Sequence, residues 1–154
     1  MSFLLLDPKY AVYSKELVGG KASNLHEIIH AGLPVPSAFV ISVDECFQKD
    51  FTKEVHEPSS EFALKLQSHI RYLAMQTQYN WNSDYKPLLV SVRSGAPISM
   101  PGMMETVLNI GLTRDNLDAF VEGRGATRAF GLDCYRRLIQ MYGTTVDGIP
   151  AEAF

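Results

Sequence analysis

Two stretches of this chain bring together residues that could hold an anion. In Leu17-Val18-Gly19-Gly20-Lys21-Ala22-Ser23-Asn24-Leu25, paired glycines run into a helix-forming segment. A loop-to-helix junction leaves backbone N–H groups without intrahelical acceptors, and such groups favour anions. With the Lys21 ammonium beside them, the combination suits a nucleotide phosphate. The G-x-x-x-x-G-K-[ST] spacing of a P-loop is absent, and a surface lysine after a turn is the plain alternative.

The second stretch starts at Leu88-Leu89-Val90-Ser91-Val92, which reads as a buried strand. It delivers Arg93 to a loop of small residues that includes Ser94, Gly95, Pro97, Ser99, Pro101 and Gly102, with no acid before Glu105. A guanidinium there has to be solvated or paired, and a phosphate offers it a bidentate partner. A structural ion pair with a distant carboxylate is the alternative. Gly95 and Gly102 let the backbone come close to a ligand, and Thr106 can donate its hydroxyl to a phosphate. Met100, Met103 and Met104 would make a soft wall for a flat base, although methionines as readily fill a core.

Other candidates are weaker. His26 and His30 stand at i, i+4 on one helix, the spacing of metal ligands, but no third ligand lies near them in sequence, so they read as solvent-facing. Cys46 and Cys134 are far apart, lack a C-x-x-C partner and read as small core hydrophobes. No Ser/His/Asp triad can be assembled from the order of residues. No catalytic residue and no metal ligand is therefore assigned.

These groups need elements to position them. At 154 residues the chain reads as one domain with a real core. A net charge of -3 gives no basic face for nucleic acid, and no apolar run approaches the roughly 20 residues of a membrane span. The apolar start is too short for a signal segment and lacks a basic lead, so the cytoplasm is the expected compartment. Phe3 to Leu6 reads as a strand stopped by Asp7-Pro8. A helix from about Lys21 to Ala31 follows, with Leu25, Ile28 and Ile29 as its apolar face and Gly32 at the C′ position. Ala38 to Val43 reads as a strand and Asp44 as the cap of a short helix to Phe51. Ser59 or Ser60 can cap a helix to about Gln76 that carries Phe62, Leu66, Ile70 and Leu73 at helical spacing. After the Arg93 loop come a strand over Val107 to Leu112, a helix from Thr113 to about Val121, and a helix over Ala126 to Tyr142. That last helix puts Phe130, Cys134, Leu138 and Met141 on one face, with Arg136 and Arg137 beside it. Strands and helices without strict βαβ alternation predict an α+β, or irregular α/β, fold.

Taken in order, Val18 to Leu25, Ala31-Gly32-Leu33-Pro34-Val35-Pro36, Ser91-Val92-Arg93-Ser94-Gly95, and Ser99 to Leu112 resemble the N-terminal nucleotide-binding region of pyruvate, phosphate dikinase. Phosphoenolpyruvate synthase and other ATP-grasp phosphotransferases are more distant relatives. Tyr135-Arg136-Arg137-Leu138-Ile139-Gln140-Met141-Tyr142-Gly143 matches the same pattern. The resemblance implies that residues 1–154 form a single partial ATP-binding domain, the N-terminal lobe of an ATP-grasp module. It implies that Lys21 contacts ATP phosphates, that Arg93 binds ATP, and that the loop through Gly102, Met103, Met104 and Thr106 lies over the phosphates. Arg136 or Arg137 would be a further arginine on the phosphate side.

In that family ATP phosphorylates a histidine on a separate swivelling domain, which carries the phosphoryl group to pyruvate at a barrel domain. ATP is therefore the implied ligand, and Mg2+ is expected from the family although its ligands are not in this chain. The family's proteins are several times longer, and their acidic metal ligands belong to the second half of the module. None of the four histidines here lies in the threonine-, glycine- and serine-rich setting of the phosphohistidine, and Ala22 stands where a glycine is usual. The isolated chain is thus expected to hold nucleotide without completing phosphoryl transfer, which also needs metal-held phosphates and an in-line acceptor. The alternative is a non-catalytic nucleotide-binding or regulatory module derived from the family. A larger dikinase-like polypeptide, or self-association through uncovered apolar surface, is the implied partner.

Overall fold

A computed structural model describes residues 3–48, 57–94 and 106–154. They fall into two compact units, one holding 3–48 and 57–76, the other 77–94 and 106–154. The fold is a mixture of helices and two small antiparallel sheets, an α+β arrangement. No described helix is long and apolar enough to cross a membrane.

In the first unit, β1 (Phe3–Leu6) pairs antiparallel with β2 (Ala38–Ile41), Phe3 opposite Ile41 and Leu6 opposite Ala38. Asp7-Pro8 ends β1, and the Asp7 carboxylate accepts from the Lys9 N–H to close a turn. Helix α1 (Lys15–His30) is longer than its sequence suggests, because a first turn over 15–18 precedes the glycines. Gly19, at φ 78° and ψ 158°, breaks the helix between that turn and the segment that follows. Only glycine adopts such a conformation readily. At the far end, Gly32 (φ 75°) donates to the Ile29 carbonyl and Leu33 to the Ile28 carbonyl. These two bonds make a Schellman motif with glycine at C′, as the sequence predicts.

The apolar face assigned to α1 is corrected. Ile28 is 40% exposed, whereas Val18, Gly19, Ser23 and His26 are buried. The side that turns inward is the one met by residues 7–13, whose backbone polar groups need polar partners there. Helix α2 (Val43–Gln48) follows β2, and Cys46 on it is exposed rather than in a core. Helix α3 (Glu61–Thr77) is capped by Ser60, whose Oγ accepts from the Ala63 N–H. Its Phe62 and His69 rings stand 5.3 and 5.1 Å from Phe3, and His69 lies 5.2 Å from Phe39, which seats the helix on the β1–β2 ribbon.

In the second unit, β3 (Val90–Arg93) pairs antiparallel with β4 (Thr106–Ile110). Leu88 before β3 is buried, but Val92 is 54% exposed, so the strand is not the buried one its apolar run suggests. A two-stranded ribbon has one face to cover and leaves the other open. Helix α4 (Leu117–Gly123) is preceded by a locked turn in which Thr113 N–H donates to Asn116 Oδ1, Asn116 N–H to Thr113 Oγ1, and Asn116 Nδ2 to the Gly111 carbonyl. Helix α5 (Arg128–Thr145) is capped by Thr127, which accepts from the Phe130 N–H. Leu112, Leu117 and Phe120 form the core, against which Leu89, Cys134, Tyr135 and Leu138 pack. Phe130, expected on the inner face of α5, is 53% exposed.

Candidate phosphate-binding residues

The residues singled out in sequence are divided between the two units. Lys21 is half-buried on α1, two positions after the Gly19 break. Among the described residues its ammonium has no ion pair or hydrogen bond. Arg93 and Thr106 belong to the second unit. Gly102, Met103 and Met104, together with Gly95, Ser99 and Met100, lie outside the described residues.

The ribbon brings Arg93 and Thr106 together. They are directly opposed in the ladder, at the last residue of β3 and the first of β4. Opposed residues of an antiparallel pair share a face, with Cβ atoms about 4.5–5.5 Å apart. Between Val90 opposite Ile110 and Val92 opposite Val107 the register shifts, so Leu108 and Asn109 together face Ser91 alone. Asn109 takes a left-handed φ of 61° at this bulge. A bulge re-aims the side chains that follow it, here the Arg93–Thr106 pair at the ribbon's end. Arg93 is exposed and has no ion pair among the described residues. The distant carboxylate that could have claimed it is not found there. A guanidinium fork with a hydroxyl beside it can grip the oxygens of a phosphate.

Arg136 and Arg137 differ. Arg136 donates to Asp133 Oδ1 through Nε at 3.2 Å and Nη2 at 2.9 Å, and its Nη1 reaches Gln140 Oε1 at 3.1 Å. Arg137 Nε lies 2.8 Å from Asp133 Oδ2. Hydrogen bonds from Arg136, then the charges of both arginines, hold the Asp133 carboxyl below the usual carboxylate range. Both arginines are partnered on the open face of α5.

The run His26-Glu27-Ile28-Ile29-His30 spells H-E-x-x-H, the signature of zinc proteases, but no third ligand lies near it in sequence. The structure engages both histidines otherwise. His30 is exposed, as expected, but His26 is completely buried, and the expectation of a solvent-facing residue is corrected. Its Nδ1 accepts from the Tyr13 N–H at 3.4 Å and its Nε2 meets the Asp7 carbonyl at 3.0 Å. His30 Nε2 meets the Tyr10 carbonyl at 2.7 Å. Among the described residues no cluster of three or more histidine, cysteine or acidic side chains could hold a metal ion. Mg2+ requires oxygen ligands, and Thr106 alone of the described site residues offers a side-chain oxygen, so these residues do not fit it.

No protein-family model matches the chain. Relatives do. Pyruvate, phosphate dikinase of Rickettsia felis is 39% identical over 140 residues, covering 91% of this chain. The chloroplastic pyruvate, phosphate dikinase of Flaveria pringlei is 40% identical over 140 residues, again 91% of the chain. The chain is a homologue of the pyruvate, phosphate dikinases. The Clostridium symbiosum dikinase, 37% identical over 145 residues, agrees. This dikinase homologue spans only 16% of the Rickettsia and Clostridium proteins and 14% of the Flaveria one.

Proposed function

We propose that the chain is the ATP-binding portion of a pyruvate, phosphate dikinase-like phosphotransferase. Residues 1–154 act as one N-terminal ATP-grasp domain, holding ATP phosphates for transfer to a histidine carried on another domain. Lys21, Arg93, Gly102, Met103, Met104 and Thr106 are the residues we assign to ATP binding. The observation that carries this reading is the Arg93 guanidinium, without an ion pair among the described residues, opposed to Thr106 at a bulged ribbon end in a homologue of the dikinases. Fixed positive charge stabilises the charge that develops on a transferring phosphoryl group. Mg2+ is the family's expected ion, and no step is assigned to it from these residues.

Calorimetric titration with ATP and magnesium tests the reading. Wild type is expected to bind and Arg93→Ala to lose most of that binding. Wild type that takes up no heat on titration overturns the reading for this chain. A second reading, an interaction module, is favoured by exposed apolar residues on α5 and just beyond its end, namely Leu132, Ile139, Tyr142 and Val146. Co-purification with a larger dikinase-like polypeptide, with no nucleotide binding, would favour that reading.

A further inference from the structure

The buried polar cluster on α1 has a function beyond packing. We infer that His26 is a positioning residue for the Gly19-Gly20-Lys21 junction, an inference that rests on the ATP reading for what that junction binds.

The hydrogen atoms in the cluster are fixed by its geometry. The Tyr13 N–H can only donate, so His26 Nδ1 accepts, and the ring proton sits on Nε2, where it donates to the Asp7 carbonyl. Ser23 Oγ donates to the Tyr13 carbonyl at 2.9 Å, and the Tyr13 ring lies 4.8 Å from the His26 ring. His30 Nε2 donates to the Tyr10 carbonyl. Three side chains spaced i, i+3 and i+7 along α1 therefore hold the backbone of residues 7, 10 and 13. His26 has no exposed surface and Ser23 only 3%, so water cannot replace the bonds these two make. The pinned segment leads directly into Ser14 and the turn 15–18.

A single helical turn has no stability of its own, because nucleation costs more than one turn of hydrogen bonds returns. The direction of residues 15–18 is inherited from what flanks them. On one side is the segment held by His26; on the other is Gly19, which permits many backbone conformations. With the clamp in place Gly19 has one setting, and residues 15–18 keep one direction against the helical segment that carries Lys21. Without it the break at Gly19 becomes a swivel. His26 acts through the junction and need not touch nucleotide.

The test is a thermodynamic cycle on the full chain. ATP–magnesium affinity is measured by calorimetry for wild type, His26→Ala, Lys21→Ala and the double variant, each below its own melting temperature. His26→Ala is expected to weaken binding tenfold or more, and its effect to be smaller in the Lys21→Ala background than in wild type. Losses that multiply in the double variant, or wild-type affinity in folded His26→Ala, overturn the inference. His26→Gln, whose amide can still donate to the Asp7 carbonyl, should recover part of the affinity, and it replaces the alanine variant in the cycle should that variant not fold. Amide hydrogen exchange separates this inference from the ATP reading. Residues 15–21 should exchange faster in the His26 variant while α3 keeps its protection, whether or not ATP binds. Exchange of 15–21 unchanged from wild type overturns the clamp. Absence of ATP binding by wild type, with faster exchange in the variant, overturns the link from clamp to nucleotide.

Discussion

Arg93, Arg136 and Arg137 carry the same charge in different surroundings, and the surroundings decide what each can do. Arg136 and Arg137 share Asp133, and all three are exposed, so their mutual attraction is screened and contributes little to stability. Arg93 is free of such a partner among the described residues. Arg93→Ala should weaken ATP binding by about tenfold to a hundredfold, the scale of a charge-assisted hydrogen bond at about 1.5–3 kcal/mol. Arg93→Lys should recover only part, because an ammonium cannot reproduce the planar fork. Calorimetry of the two variants beside wild type checks the order; equal affinity in all three would remove Arg93 from the site. Asp133 sets a second expectation. Its native carboxyl titrates below the ordinary value, so its contribution is present above the unfolded-state value and disappears as pH falls through the native one. Thermal melts of wild type and Asp133→Asn should differ slightly at pH 7 and converge as pH falls below the ordinary carboxylate range. A difference that grows with acid would contradict this.

At the scale of elements, glycines divide into those the backbone requires and those it does not. Gly19 holds the break in α1 at a conformation nearly closed to other residues, and Gly19→Ala should cost about 1–3 kcal/mol. Gly111 combines φ 105° with a backbone that leaves no room, since a Cβ there would lie 2.5 Å from the Leu88 carbonyl oxygen and 3.2 Å from Trp81 Cζ3. Gly111→Ala should therefore destabilise the second unit, moving β3 away from β4. Gly123 at the end of α4 has open space around it and no positive φ. Gly123→Ala should be neutral or stabilising by up to about 1 kcal/mol. Thr127→Ala, which removes the cap of α5, should cost about 1 kcal/mol. Urea melts of the four variants rank these effects, and an alanine at Gly111 as stable as wild type would refute the packing argument.

For the whole molecule, the notable quantity is apolar surface left open. Leu132, Ile139 and Tyr142 on α5, and Val146 just beyond its end, are each between 45% and 56% exposed. Val92 and Leu108 add to the open surface on the ribbon. Open apolar surface of this kind is a candidate interaction site. The dikinase relatives are roughly six to seven times as long as the matched region. With this surface open, the chain should self-associate. Light scattering at high concentration is expected to show species heavier than a monomer, reduced by Leu132→Ser with Ile139→Ser. A monomer at every concentration would remove these residues as an interaction surface.

What the sequence determined is local. Gly32 at C′, Ser60 as one of two candidate caps and the Asp7-Pro8 stop are legible because each depends on a residue's own backbone preference or on a partner within a few positions. The same holds for the dikinase resemblance, carried by ordered short motifs. The pairing of Arg93 with Thr106 needed the tertiary structure, since the register of β3 on β4 depends on a bulge at Asn109 that no alternation pattern reports. Exposure of Val92 was hidden for a related reason: an apolar run looks alike in a covered sheet and in a two-stranded ribbon. His26 was the least legible. Its partners are backbone atoms of residues 7 and 13, and main-chain groups leave no mark on composition or spacing. Sequence placed paired glycines and a lysine side by side at a helix start; only the fold decided that a buried histidine holds the segment leading into them.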